Sequence, residues 1–103
     1  MATKEILQSL ANQLQTVAQQ VQTVESQVKE IQGTLEALST QTDDRPIFRQ
    51  VGPLLLEVDD RDELRIDLGK SEGTLSAHLK RLKLRESELR DTYEQQVKEF
   101  ESA

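Results

Sequence analysis

Four groups of residues in this chain have types and spacings that could support chemistry. The first, Gly69-Lys70-Ser71, resembles the end of a phosphate-binding loop, in which backbone N–H groups and a lysine hold phosphate oxygens. That motif requires a glycine five residues before Gly69, where the chain has Leu64 within a helical pattern. We therefore predict a helix that tolerates its glycines, and no nucleotide site.

The second and third groups could bind metal ions. His78 is the only histidine and there is no cysteine, so a zinc site would need several carboxylates or a second chain. An exposed helix position is the simpler prediction for His78. The acidic cluster between Asp59 and Glu63 lacks the glycine that a calcium loop needs at its tight turn. Acidic residues also favour a helix N-terminus, so we predict capping there, no metal site and no cofactor.

The fourth group is the set of carboxylate pairs, which could act as general acid and base. Such catalysis needs a pocket that shifts pKa values, and every pair falls on a predicted solvated helix. We predict that the chain is not an enzyme.

The nearest feature to a basic patch is a short run near the middle of the second predicted helix. It consists of Lys80, Arg81, Lys83 and Arg85. Glu86 and Glu88 follow at once, and the net charge of the chain is −6. Nucleic acid binding needs a concentrated basic surface, so we predict a solvated helix face and no nucleic-acid partner.

The composition leaves little material for a globular core. Charged residues make up 31% of the 103 residues and aromatic residues only 3%, so apolar side chains must lie in stripes. The absence of cysteine rules out disulfides and is compatible with a reducing compartment. The polar N-terminus does not look like a signal peptide, and no stretch approaches the ~20 apolar residues of a membrane span. We expect a cytoplasmic protein with no membrane partner.

The clearest pattern is a heptad repeat over the first forty residues. Apolar side chains recur at alternating spacings of three and four, as in the seam of a coiled coil. They are Leu7, Leu10, Leu14, Val17, Val21, Val24, Val28, Ile31, Leu35 and Leu38. So narrow a stripe predicts a helix, over about residues 3–42, that packs against one partner helix. The helix must stop before Pro46, because proline disfavours helix at the preceding residue.

The next segment has the composition of two short strands. Residues 47–58 are rich in β-branched, Phe and Leu residues around Gly52-Pro53, which predicts a β-hairpin with glycine in its turn. An isolated two-stranded hairpin is marginal in water, and its open edges invite pairing with other chains. We therefore predict a subunit-assembly surface. Its residues are Ile47, Phe48, Val51, Gly52, Pro53, Leu54, Leu55, Leu56 and Val58.

A second, weaker heptad pattern covers about residues 61–101, with Asp60 as its predicted N-cap. Its apolar members are Leu64, Leu68, Leu75, Leu79, Leu82, Leu89, Tyr93 and Phe100, and Glu72, Glu86 and Gln96 keep the same phase. The two seams have matching lengths, so reversal at the hairpin predicts an antiparallel coiled coil of ~60 Å. The predicted fold class is mainly α with a short β-hairpin, in a single domain over residues 1–103.

Both termini fall at the open tip of this arm, together with several apolar residues. These are Met1, Ile6, Leu7, Leu10, Tyr93, Val97 and Phe100. Ile6 lies beside the seam and adds apolar surface beyond what helix pairing uses. Two explanations stay open: simple end-packing, which the pattern alone favours, or a surface that holds varied apolar sequences.

The order helix, hairpin, helix at this length resembles the β class of prefoldin. The most specific match is Pro46 to Val58, PIFRQVGPLLLEV, with an aromatic residue followed by glycine and an apolar strand. Leu68-Gly69-Lys70 and Leu89-Arg90-Asp91 add to the resemblance, which within the class is greatest to the eukaryotic subunit six.

The resemblance implies a heterohexamer of two α-class and four β-class subunits, whose hairpins build a β-barrel platform that carries six coiled-coil arms. It also implies an ATP-independent chaperone that holds unfolded proteins at the arm tips and passes them to a group II chaperonin. The tip residues would then bind clients. The rival hypothesis is a structural coiled-coil tether or docking subunit without general chaperone activity.

Overall fold

The computed structural model describes residues 2–102 and contains four elements. They are α1 (Lys4–Thr40), β1 (Phe48–Val51), β2 (Leu54–Glu57) and α2 (Arg61–Ser102). The two helices pack along each other. The two strands come between the helices in the sequence and form a two-stranded antiparallel sheet. The molecule measures 70 × 25 × 16 Å, as expected for one helix pair with a small sheet at its end. The predicted fold class, two long helices joined by a short β-hairpin, is confirmed.

Two contacts across the seam establish that the helices run antiparallel. Gln32 on α1 reaches Glu72 on α2, with 3.3 Å between Nε2 and Oε1. Glu25, seven residues earlier on α1, reaches Lys83, eleven residues later on α2, with 3.3 Å between Oε2 and Nζ. A step towards the N-terminus of α1 is thus matched by a step towards the C-terminus of α2. The helices therefore run in opposite directions, and the chain reverses at the hairpin.

The core lies in the middle of the arm, along the seam that the heptad pattern predicts. Its buried members are Val17, Val21, Val24 and Val28 on α1 and Leu82 on α2, and Leu75, Leu79 and Leu89 pack against them half-buried. No polar or charged residue between positions 2 and 102 is buried. Apolar burial along one narrow line therefore supplies the main favourable term for joining the helices.

The N-terminus of α1 has a side-chain cap. The hydroxyl of Thr3 accepts a hydrogen bond from the backbone N–H of Ile6 at 3.1 Å, which satisfies one N–H that has no partner within the helix. Ala2 is buried just before this cap, at the position of a hydrophobic staple. The cap fixes the start of α1, so the helix remains regular close to the tip.

The link from α1 to β1 is a polar turn. Arg45 N–H donates to the carbonyl of Thr42 at 3.2 Å, which closes a β-turn around Asp43 and Asp44. A hydrogen bond from the Thr42 side chain holds the pKa of Asp44 below its ordinary value. α1 ends at Thr40, just before this turn and well before Pro46.

The start of α2 is tied to this link. The Asp60 carboxylate accepts from the backbone N–H of Glu63 at 3.0 Å, as the sequence predicts for an N-cap. Arg61, the first residue of α2, donates a hydrogen bond through its guanidinium to the carbonyl of Arg45. Its Nη1 atom lies 4.0 Å from Oδ1 of Asp43. These contacts join both ends of the hairpin to the base of the arm, so the hairpin is held in place relative to the helices.

The hairpin turn depends on glycine. β1 and β2 pair from Phe48 with Glu57 to Val51 with Leu54, which leaves Gly52 and Pro53 as a two-residue loop. Gly52 has φ of +60°, the value that a type II′ turn requires at its first central position. A side chain at position 52 would strain the backbone, so a substitution there would disturb the register of both strands.

The seam generates a stability prediction. Replacing Leu82 by Ala should lower the free energy of unfolding by about 2 kcal/mol, the low end for a buried leucine because the arm is thin. Leu84→Ala is the matched control, because Leu84 lies two residues away but is 62% exposed, against 8% for Leu82. This substitution should lower the free energy of unfolding by less than about 0.5 kcal/mol. Urea unfolding followed by helical circular dichroism, at equal chain concentrations, measures both. Equal losses would contradict the assignment of the core.

Candidate assembly and client-binding surfaces

The first candidate surface is the hairpin, which is apolar on both faces. Residues paired across antiparallel strands point to the same side of the sheet. One face carries Ile47, Arg49, Val51, Leu54, Leu56 and Val58, and the other carries Phe48, Gln50, Leu55 and Glu57. All eight residues within the two strands are exposed, and Leu55 is 69% exposed. A solvent-exposed apolar cluster of this kind is typical of an interaction site.

The hairpin also has open edges. The sheet consists of β1 and β2 alone in the part of the chain that the structure describes, so each strand has backbone N–H and C=O groups directed away from its partner. Free strand edges pair readily with strands of other chains. The hairpin therefore has both backbone groups and apolar side chains available for contact with another chain.

A groove lies where the hairpin meets the base of the arm. It has a volume of about 530 Å³ and is lined mainly by apolar side chains, among them Leu38, Ile47, Phe48, Leu64 and Leu68. The hydrogen bond from Val58 N–H to the Ile47 carbonyl, 2.7 Å long, closes the hairpin at this end. The groove thus continues the apolar surface of the hairpin onto the helices.

The second candidate surface is the tip of the arm. Ile6 and Phe100 are 40% and 46% exposed, while Leu7, Leu10, Tyr93 and Val97 are half-buried. The register set by the Glu25–Lys83 contact places Ile6 and Phe100 at similar heights on the two helices. Met1, predicted to join this surface, lies outside the described residues. Whether the tip binds clients remains a prediction.

The middle of the arm carries a cluster of charged side chains that joins the two helices. The Glu25 carboxylate lies 3.3 Å from Lys83 Nζ on α2 and 3.5 Å from Lys29 Nζ on its own helix. The hydrogen bond from Lys83 and then the charge of Lys29 hold the pKa of Glu25 below its ordinary value. This pair flanks the buried valines, so it favours the observed register of the two helices.

Two polar residues of the second seam, Glu72 and Glu86, have partners. Glu72 accepts hydrogen bonds from Gln32 across the seam and from Ser76 one turn later, at 3.3 Å and 3.0 Å. Glu86 lies 3.8 Å from Arg90 on the same helix. The sequence predicts these seam positions, and the structure shows that polar contacts replace apolar packing there.

Two exposed apolar side chains were missed by the sequence reasoning. Ile66 is 57% exposed and Leu84 is 62% exposed, both on α2 and both outside its seam. The signal was present in the sequence, because neither residue fits the heptad spacing. They add apolar surface on the outer side of the arm, remote from the tip.

The charged side chains with a possible chemical role lie on the surface. His78 is exposed, as are Lys80, Arg81 and Arg85. Within residues 2–102 no cluster of three or more His, Asp or Glu side chains is arranged to hold a metal ion. Over the same residues, neither helix has a stretch long and apolar enough to cross a membrane.

Comparisons with known proteins identify the family to which this pair of helices joined by an exposed hairpin belongs. A family model described as "Prefoldin subunit" matches residues 2–103. The chain therefore belongs to the prefoldin subunit family. Among curated protein sequences, none matches the chain significantly.

Solved structures support the same assignment. The crystal structure of the prefoldin beta subunit from Thermococcus strain KS-1 is similar at a TM-score of 0.81 and 27% identity, over 93% of this chain and 83% of that one. The prefoldin beta2 subunit from the same strain has a TM-score of 0.75 at 24% identity, over 86% of this chain and 94% of that one. The second likeness is evidence for the fold.

The Glu25 contacts generate a pH prediction. Because folding lowers the pKa of Glu25, its contribution to stability is complete above the ordinary glutamate pKa and is lost as pH falls through the folded-state value. Glu25→Gln should therefore lower Tm at neutral pH, and the difference from the parent chain should vanish in acid. Melting curves between about pH 7 and about pH 3 measure this.

Glu30→Gln is the matched control. Glu30 is an exposed residue of α1, and the ion pairs found within residues 2–102 do not include it. Its substitution removes the same charge without removing a cross-helix contact. If both variants changed Tm equally at every pH, the Glu25–Lys83 pair would have no role in joining the helices.

Proposed function

We propose that this chain is a subunit of an ATP-independent chaperone that holds unfolded proteins at the tips of its arms and delivers them to a group II chaperonin. The observation that carries the proposal is the exposed apolar pair Ile6 and Phe100 at the end of an arm whose middle seam is buried. Membership of the prefoldin family supports it. The proposal includes no catalytic step and no cofactor.

Assembly is the second part of the proposal. The hairpin would complete a β-barrel platform with α-class and other β-class subunits in a cytoplasmic heterohexamer. The exposed strands, their open edges and the likeness to an archaeal prefoldin beta subunit support this arrangement. We further propose that residues 1–103 form one prefoldin-like domain, and that within the β class the chain is most similar to eukaryotic subunit six.

The physical basis of holding is avidity. A tip with a few exposed apolar side chains binds an unfolded segment weakly, because each side chain contributes only a small free energy of transfer. Several arms on one platform raise the effective concentration of the other tips once the first has bound. Weak individual contacts also dissociate quickly, so release of a client needs no nucleotide hydrolysis.

The tip generates a direct test of client binding. Ile6→Ser combined with Phe100→Ser should lower the suppression of client aggregation several-fold while helix content and assembly mass stay unchanged, because both side chains are exposed. Light scattering after dilution of a guanidinium-unfolded test protein into the assembled complex measures the suppression.

Leu84→Ser is the control for the tip variant. Leu84 is at least as exposed as the two tip residues but lies outside the tip, so its loss should leave the suppression unchanged. Full suppression by the tip variant would contradict the tip assignment. An absence of suppression by the parent complex would instead support a structural tether that docks one specific partner.

The hairpin generates a test of assembly. Leu54→Asp combined with Leu56→Asp places two carboxylates on one face of β2 and should abolish assembly, because charges buried in an interface without partners are strongly unfavourable. Leu84→Asp is the control and should assemble normally. Analytical ultracentrifugation measures the mass. A double variant that still assembled would rule out the hairpin as the assembly surface.

A further inference from the structure

We propose that the arm bends at a joint near its hairpin end, formed by Gly33 on α1 with Gly69 and Gly73 on α2. The hydrogen bond between Gln32 and Glu72 fixes the height of this joint on the arm. Gly33 follows Gln32 in the sequence and Gly73 follows Glu72. The heights of the two glycines along the arm therefore differ by no more than about one helical turn. Gly69 lies one turn closer to the hairpin. Both helices thus contain glycine at the same height along the arm.

Packing does not require these glycines. A Cβ built at any of the three positions would meet no atom within 4 Å, so an alanine would fit at each. Glycine nevertheless weakens a helix, because the unfolded backbone at glycine has more conformational freedom to lose. Helices also bend preferentially where glycine and serine occur together, and Ser71 lies between Gly69 and Gly73. The glycines make local distortion of both helices easy.

The buried core is interrupted at the same height. The continuous buried cluster includes Val28 on α1, and Leu75 of α2 packs against it. The next buried residue of α1 towards the hairpin is Leu38, which does not belong to that cluster. Between them the α1 seam residues Ile31 and Leu35 are only half-buried, and on α2 Glu72 occupies a seam position with hydrogen bonds in place of apolar packing. A segment with few buried apolar contacts opens at a lower free-energy cost than its neighbours.

These features divide the arm into two more rigid parts. On one side are the hairpin and the helix ends around Leu38, held together by the Arg61 contacts with Arg45 and Asp43. On the other side is the valine-rich arm that carries the tip. A hinge between two such parts moves on microseconds to milliseconds. The joint would let the tip change its distance from the tips of other arms. This use of the joint rests on the proposed function, whereas the existence of the joint does not.

Spin-label distance measurements on the assembled complex test the joint. The chain has no cysteine, so Gln15→Cys on the arm and Asp59→Cys before α2 give two defined label positions on opposite sides of it. Labelled chain is diluted with unlabelled chain so that each complex contains one labelled copy. The parent should show a broad distance distribution, and Gly33→Ala/Gly69→Ala/Gly73→Ala should narrow it and raise Tm. Equal widths in parent and alanine variant would overturn the proposal.

Hydrogen exchange then locates the flexible segment. Backbone amides of residues 32–37 and 71–77 should exchange faster than those of residues 17–28, and the three alanines should slow them by at least about fivefold, the factor expected from helix propensity. Ser26→Ala/Ser87→Ala is the control, because these exposed helical serines lie away from the joint. It should change neither the exchange of those amides nor the distance distribution. Exchange that is uniform along the arm would overturn the proposal.

Discussion

Apolar contact along one seam is the interaction on which the rest of this structure depends. Two long helices with one narrow stripe each can bury that stripe against each other and nothing more, which is why the buried residues form a line through the middle of the arm. Residues 2–102 form no second layer that could cover another apolar surface. Apolar residues outside the seam, on the hairpin and at the tip, therefore remain exposed within the single chain.

This constraint separates the parts of the molecule by role. The hairpin has apolar side chains on both faces and two free edges, so it suits a permanent interface that supplies strands as well as side chains. The tip has a few partly exposed side chains on helix ends, so it suits weak and varied contacts. The arm separates the two surfaces, and Gly33, Gly69, Gly73 and the seam residue Glu72 lie between them. Membership of the prefoldin subunit family accords with this arrangement.

Much of the fold could be predicted from the sequence because its signals are local. The heptad spacing identified the seam, and Gly52-Pro53 identified the hairpin turn, since both depend on residues near one another in the chain. The contact of Arg61 with the carbonyl of Arg45 could not be predicted, because it depends on how the link folds back against the helix. The partners of Glu72 likewise depend on the exact register of the helices. The roles proposed for the tip and hairpin surfaces involve other chains, so this sequence alone cannot establish them.

The most direct test of the central claim is the native mass and composition of the complex that this chain forms in its own cells. A cleavable tag would allow purification without altering the tip, where α1 begins and α2 ends. Six chains of 11.7 kDa would total about 70 kDa, and somewhat more with larger partners. The account predicts a hetero-complex near that mass, containing other chains with the same helix–hairpin–helix pattern. A stable monomer, or a dimer with one unrelated protein, would contradict it, because the hairpin would then have no strands to pair with.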